Sequence, residues 1–333
     1  MNKILVTGAG GYVGAVLTKK LLNHGYFVRA LDLYLYDKDP FREIDPIKKK
    51  GKLDIFKADI RNTKLLDFAL MDMDTVIHLA CISNDPSFDL NPELGKSVNL
   101  DAFEPLVHMS KVSGVKRFIN ASSSSVYGIS NDENVTEESK CNPLTDYSKF
   151  KLRTENLLNR HESSDFTTVS VRSATVCGYS PRQRLDVIVN ILTNHAYHLK
   201  KITVSGGEQK RPNVHIDDLT DLYVKLVSAP AFKITGEAFN FGGPNYTVSE
   251  LAELVKKTLN NKAIEIIHTE TNDKRSYHIS SKKISDYLGI KPKRTIEEAI
   301  TQLVTAFDSG LLPNSLTNSK YFNIEKMKEL RTK

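Results

Sequence analysis

The first 33 residues alternate between two hydrophobic patterns. KILVTG (3–8) is a short apolar run stopped by glycine, as expected of a parallel strand buried on both faces. In YVGAVLTKKLLNHG (12–25), Val13, Val16, Leu17, Leu21 and Leu22 recur at helical spacing, and His24-Gly25 supplies a C-terminal stop. FVRALDL (27–33) is a second strand. The order is therefore strand, turn, helix, strand.

The alternation continues. LDIFKADI (53–60), DTVIHLA (74–80), RFINASS (117–123) and FTTVSVRSA (166–174) read as strands. Between them, KLLDFAL reads as a short helix, Glu93–Ser113 as a longer one, and DYSKFKLRTENLLNRH (146–161) as a third. Apolar strands separated by helices predict an α/β fold, a Rossmann-type doubly wound parallel sheet. After about residue 178 the pattern loosens. SPRQRLD, SGGEQKRP, FGGPN and TETNDKRSYH read as loops, and 187–199, 248–260 and 295–308 have helical spacing. The expected division is a nucleotide-binding domain over 1–178, rejoined by a strand and helix around 212–242. A smaller C-terminal α/β substrate lobe and tail follow over 179–333. The polar tail after Leu312 is expected to extend over a partner.

Composition narrows the class. With 333 residues, 40% of them hydrophobic and 26% charged, the chain can bury a large core. The net charge of +6 comes without a long basic run. IKKKGK (47–52) is the densest patch and reads as a solvated loop, so no nucleic-acid partner is expected. Three widely spaced cysteines, Cys81, Cys141 and Cys177, form neither a zinc motif nor a disulfide framework. No metal is expected. No stretch reaches the length of a membrane span, and the N-terminus lacks a signal-peptide pattern. The expectation is a soluble, cytoplasmic protein.

TGAGGYVG (7–14) places glycines at Gly8, Gly11 and Gly14, with Gly10 as an extra, between the first strand and the first helix. Tyr12 and Val13 open that helix. The glycines permit a tight turn and close approach of a pyrophosphate, and the helix N-terminus offers free N–H groups. Asp32 ends the second strand, where a carboxylate accepts hydrogen bonds from both hydroxyls of an adenosine ribose and repels a 2′-phosphate. This pairing favours NAD over NADP. Tyr147 and Lys151 then stand one helical turn apart on the same face. A nearby ammonium favours phenolate, and so lowers a tyrosine pKa from its usual value near 10.

TGAGGYVG, ADI (58–60), HLA (78–80), SSSSVYG (122–128) and YSKFK (147–151) resemble, in order and spacing, the extended short-chain dehydrogenase/reductases, the NAD-dependent epimerase/dehydratase group. RPNVHIDDL (211–219) extends the likeness. The resemblance implies hydride transfer at a sugar carbinol, with Tyr147 as base and Ser123 hydrogen-bonded to the reacting oxygen. Lys151 would also hold the nicotinamide ribose. It implies Asp59 and Ile60 at adenine, Leu79 and Ala80 at the adenosine ribose and phosphates, and Asn99 holding the site from its helix. It further implies a nucleoside-diphosphate sugar as substrate and a homodimer paired through 93–113 and 146–161. His78 and His215 read as structural, since Tyr147 fills the acid/base role.

Departures from the family pattern narrow the reaction. The 4,6-dehydratases carry acidic groups just after the Ser/Thr, where this chain has Ser124 and Ser125. A hydroxyl is too weak an acid or base for water loss, so dehydration is disfavoured. VRSATVCG (171–178) puts Thr175 near the position of an asparagine usual in UDP-glucose 4-epimerases. GYSPRQRLD (178–186) and NDKRSY resemble stretches of a bacterial surface-polysaccharide subgroup that includes GDP-heptose dehydrogenases. Ser124, Thr175, Arg182, Arg184, Arg211 and Arg275 are the candidate substrate contacts, the arginines because a guanidinium fork suits phosphate. Epimerase, dehydrogenase and ketoreductase remain open at this point, beside a non-catalytic NAD-binding regulator or scaffold.

Overall fold

The computed structural model describes residues 2–83, 85–130, 132, 134–271 and 278–331. Twelve strands occur among them: β1 (Lys3–Thr7), β2 (Phe27–Asp32), β3 (Leu53–Lys57), β4 (Thr75–His78), β5 (Arg117–Ser123), β6 (Thr167–Ser173), β7 (Thr175–Cys177), β8 (Lys201–Ser205), β9 (Lys210–His215), β10 (Glu237–Phe241), β11 (Asn245–Thr247) and β12 (Glu265–Thr269). Seven form one parallel sheet in the order β10-β6-β5-β4-β1-β2-β3. The chain reverses direction across the sheet between β1 and β4. In open α/β sheets the crevice at such a switch, beyond the carboxyl ends of the strands, is where ligands bind.

Alternation along β1 divides the core. Ile4 and Val6 face one side, where Leu17 and Leu21 of the helix Tyr12–Asn23 meet Leu222 of the helix Ile216–Ser228. Leu5 faces the other side with Leu66, Leu106 and Phe118. All of these side chains are buried, so both sheet faces are covered, as the apolar runs require. Two small sheets, β11-β9-β7 and β12-β8, pack with the helices Ile188–Leu199, Val248–Leu259 and Ile296–Asp308 around a separate apolar cluster.

The structure corrects several boundaries. The helix expected over Glu93–Ser113 is interrupted. Pro92–Lys96 is α-helical, Ser97–Asp101 forms a π-turn in which the Ala102 amide reaches back to the Ser97 carbonyl at 3.1 Å, and Phe103–Val112 resumes the α-helix. Such bulges often sit at functional sites. Part of SGGEQKRP, expected as loop, is strand β9. The tail after Leu312, expected to extend over a partner, folds back on its own chain. It ends in the helix Asn323–Arg331, with Tyr321 buried against Leu185 and Leu303. No helix among the described residues is long and apolar enough to cross a membrane.

Candidate functional site

Two glycines of the turn are required by close approach. Gly8 has φ +74°, and a Cβ there would stand 2.6 Å from the Ala80 amide nitrogen on the neighbouring strand end. A Cβ on Gly14 would stand 2.2 Å from the Gly8 carbonyl oxygen. The turn therefore packs backbone on backbone. The helix Tyr12–Asn23 that follows has Gly11 at its N-cap, no side-chain cap and no acidic residue in its first turn. Its leading N–H groups lack intrahelical acceptors and carry the positive end of the helix dipole. This donor set fits a diphosphate.

Asp32 closes the end of β2. Its carboxylate accepts from the Gly10 amide at 3.0 Å and the Tyr34 amide at 2.7 Å, tying the glycine turn to the strand end. Burial pushes its pKa up, against the lowering by those two amides. Asp59 lies beyond the end of β3 in a pair with Arg61, which holds its carboxyl below the usual range.

β5 carries Ser123 at its carboxyl end. Ser123 caps a 3-10 turn, Ser124–Tyr127, by accepting the Ser125 amide at 3.1 Å, so its hydroxyl proton stays available to donate. The helix Asp146–Asn159 starts from a capping box, Thr145 with Ser148, and so presents Tyr147 in its first turn. Lys151, buried one turn on, donates to the Ala121 carbonyl of β5 at 2.7 Å, and its ammonium lies 5.8 Å from the centre of the Tyr147 ring. Behind this pair is a buried network. Glu155 accepts from Ser122 and pairs with Arg172 at 2.7 Å, and Arg172 donates to the Tyr127 hydroxyl at 2.8 Å.

One cavity of about 680 Å³ collects these groups. Gly8, Gly11, Tyr12, Val13, Gly14, Asp32, Asp59, Ile60, Leu79 and Ala80 line it, together with Ser123, Ser124, Tyr147, Lys151, Thr175, Arg182 and Arg184. Asn99 is not in the lining. From the π-turn it binds the Ile82 backbone twice, accepting its amide at 2.8 Å and donating to its carbonyl at 2.9 Å, and so fixes the segment after β4. Arg211 also lies outside the lining, on β9, and donates to the Lys210 carbonyl. Arg275 lies outside the described residues.

The two histidines have local duties. His78 is buried with Nδ1 2.8 Å from the Thr7 hydroxyl, and burial, aided by the Lys151 charge, drives its pKa down to about 3. His215 accepts the Asp217 amide at 3.1 Å through Nδ1, capping the helix Ile216–Ser228, and burial lowers its pKa.

Sequence reasoning missed Tyr36, Ser83, Asn323, Met327 and Leu330, which also line the cavity. Tyr36 and Ser83 sit in segments with no periodic pattern. The last three come from the tail, far away in the chain.

The chain resembles proteins of known sequence and structure over most of its length. An uncharacterised protein of Sinorhizobium fredii is 33% identical over 258 residues, 76% of this chain and 59% of that protein, so the chain spans less than two thirds of that relative. The dTDP-D-glucose 4,6-dehydratase of Mus musculus is 28% identical over 322 residues, 91% of this chain and 88% of that one. The structure of MoeE5 in complex with UDP-glucuronic acid and NAD superposes with a TM-score of 0.78 at 26% identity, covering 92% of this chain and all of that one. The profile of the NAD dependent epimerase/dehydratase family matches residues 4–242, from β1 through the site to the end of β10. Sheet order, glycine turn and family match agree: the chain belongs to the NAD-dependent epimerase/dehydratase family, a group of extended short-chain dehydrogenase/reductases.

Proposed function

We propose that the protein oxidises a ring carbinol of a nucleoside-diphosphate sugar and returns the hydride to the opposite face, as an epimerase. The observation that carries this reading is one cavity joining the glycine turn and Asp32 to Ser123, Tyr147 and Lys151. NAD bound at the turn supplies the hydride acceptor. The Gly11 amide is taken by the Gly8 carbonyl at 3.1 Å, so the N–H groups of Tyr12 and Val13 would meet its diphosphate, and Asp32 would receive the ribose hydroxyls. Tyr147 takes the hydroxyl proton, Lys151 favours its phenolate, and Ser123 donates to the reacting oxygen. Ser124 and Thr175 line the substrate end. Ser124 and Ser125 stand just after Ser123, and their hydroxyls are too weak as acids or bases for water loss, which speaks against a dehydratase.

The second reading is a dehydrogenase or ketoreductase that stops after one hydride transfer, and it rests on the GYSPRQRLD segment over the cavity. A panel of UDP-, GDP-, CDP- and dTDP-sugars, scored for NADH absorbance and product stereochemistry, separates the two. An inverted product without net NADH supports epimerase. Stoichiometric NADH supports dehydrogenase. No turnover on any sugar counts against both and favours a non-catalytic NAD-binding regulator.

The setting we infer is bacterial-type surface-polysaccharide synthesis in the cytoplasm, by a homodimer. The proposed pairing face, between the helices Phe103–Val112 and Asp146–Asn159, forms a groove lined by Lys96, Asp101, Glu104, His108, Arg153 and Leu157. A monomer in sedimentation at micromolar concentration would exclude the dimer.

A further inference from the structure

Arg182 is a buried cation with no anion paired to it among the described residues. Only 3% of it is exposed. Its guanidinium stacks 4.0 Å from the Tyr36 ring centre, and Nη2 donates to the Asn323 side chain at 2.7 Å. Nε is buried with no partner. Among the described residues no carboxylate lies within ion-pair distance of it. Asp186, the nearest acid in sequence, pairs instead with Arg184 at 2.6 Å. Burial lowers the Arg182 pKa to about 10. An uncompensated buried charge is costly, and a fold retains one where a ligand supplies the counter-charge.

The loop that carries Arg182 is fastened to the N-terminus of the first helix. The Tyr12 hydroxyl donates to the Gly178 carbonyl at 2.7 Å, and the Ser180 hydroxyl donates to the Tyr12 carbonyl at 2.8 Å. The Gln183 side chain accepts the Ser180 amide at 2.8 Å. Arg182 is thus held over the cavity wall that Gly11, Tyr12 and Val13 form. Its partner Tyr36 follows β2, the strand that ends in Asp32, and the Arg182 charge acts to lower the Asp32 pKa against the larger raising effect of burial. Asp32 ends β2 and Ser123 ends β5, and β1 and β4 lie between those strands in the sheet, so Arg182 sits on the Asp32 side of the cavity.

We propose that Arg182 is the cation for the diphosphate of the dinucleotide, not of the sugar nucleotide, and that Asn323 holds it there so that the C-terminal helix covers the cofactor. Asn323 is built for this position. Its amide nitrogen on the backbone donates to Asp186 at 2.9 Å and its side chain donates to Ser83 at 3.0 Å, while Met327 and Leu330 of the same helix line the cavity. Arg184, which donates to Ser83 at 3.2 Å, braces the same corner. The inference rests on the NAD reading of the glycine turn and adds a residue and a covering element to it.

Calorimetric titration of NAD, ADP and adenosine into the full chain tests it, with UDP and GDP titrated into the NAD-saturated protein. In Arg182→Met, NAD and ADP should weaken about tenfold to a hundredfold, the range of a charged hydrogen bond. Adenosine, UDP and GDP should bind as before. Arg182→Lys should recover part of the loss, and Asn323→Ala should show a smaller loss with the same selectivity for ADP over adenosine. These two variants carry the test if Arg182→Met does not fold. Equal weakening of ADP and adenosine would make Arg182 merely structural and overturn the proposal. Loss confined to UDP or GDP would assign it to the sugar nucleotide and also overturn it. Failure of the unaltered protein to bind NAD or ADP at all would remove the cofactor reading, and the inference with it.

Discussion

Lys151 donates to the backbone carbonyl of Ala121 at 2.7 Å, so its ammonium is anchored to the β5 strand that also carries Ser123. A lysine on one helix and a serine on a separate strand are thereby held in fixed relation. Lys151→Met removes the anchor and, on the proposed mechanism, the charge that would favour Tyr147 phenolate. Turnover should fall by about 10²–10⁴-fold, the usual contribution of a general base, and the remaining rate should rise at higher pH than in the unaltered enzyme. A pH–rate profile of the same shape and position in Lys151→Met would show that the ammonium does not tune Tyr147.

Tyr147→Phe keeps the ring and removes only the hydroxyl. The helix should be unaffected, because its start is set by Thr145 and Ser148. Turnover should be lost and NAD affinity nearly unchanged, measured by product formation and by calorimetry on one preparation. Surviving turnover would remove Tyr147 from the role of base.

What the sequence made legible was local. The glycine turn and the Tyr147–Lys151 pair show because each is set by spacing within one or two elements. Alternation of apolar strands and helices was enough for the parallel sheet. The π-turn at Ser97–Asp101 left no mark, because one widened hydrogen-bond ring does not disturb the apolar period around it. The Arg182–Asn323 bond joins residues 141 apart, and the polar tail carries no pattern that points to a partner. The Glu155–Arg172 pair likewise depends on β6 lying beside β5, which pairing register decides and composition does not.

Asp32 has two duties that one substitution would confuse. It accepts the Gly10 and Tyr34 amides, and by the reading above it receives the adenosine ribose. Asp32→Ala should weaken NAD binding and narrow the preference for NAD over NADP, because the repulsion of a 2′-phosphate is gone. Asp32→Asn keeps an acceptor for one of the amides and should hold the turn better while losing the same discrimination. Unchanged NAD/NADP discrimination in both variants, measured by titration, would sink the assignment.

His78 makes the fold sensitive to acid. Its folded pKa, about 3, lies below the 6.5 of free imidazole, so the unfolded chain takes up a proton first as pH falls. The stability it contributes is whole above about pH 6.5 and is lost progressively towards pH 3, at up to about 1.4 kcal/mol per pH unit. His195, His198 and His215 are also depressed by burial and act in the same direction. The diagnostic quantity is therefore a difference. Urea midpoints from pH 7 down to 4 should fall less steeply in His78→Gln than in the unaltered protein. Parallel slopes would mean that His78 titrates as freely in the fold as out of it.

Glu155 and Arg172 form a buried ion pair directly behind the Tyr147–Lys151 pair, with side-chain exposures of 5% and 8%. Removing one partner leaves the other charged and out of water. Glu155→Gln should therefore destabilise the fold by about 3–5 kcal/mol, read from denaturant midpoints. The double variant Glu155→Gln, Arg172→Met, which strands no charge, should cost less than the sum of the two single changes. The pair also sets the strand that carries the site, because Glu155 accepts from Ser122, next to Ser123. Turnover at a temperature where the variant is fully folded should accordingly fall in kcat more than in NAD affinity. A stability loss with kcat unchanged would confine the network to holding the fold and deny it any part in positioning Ser123.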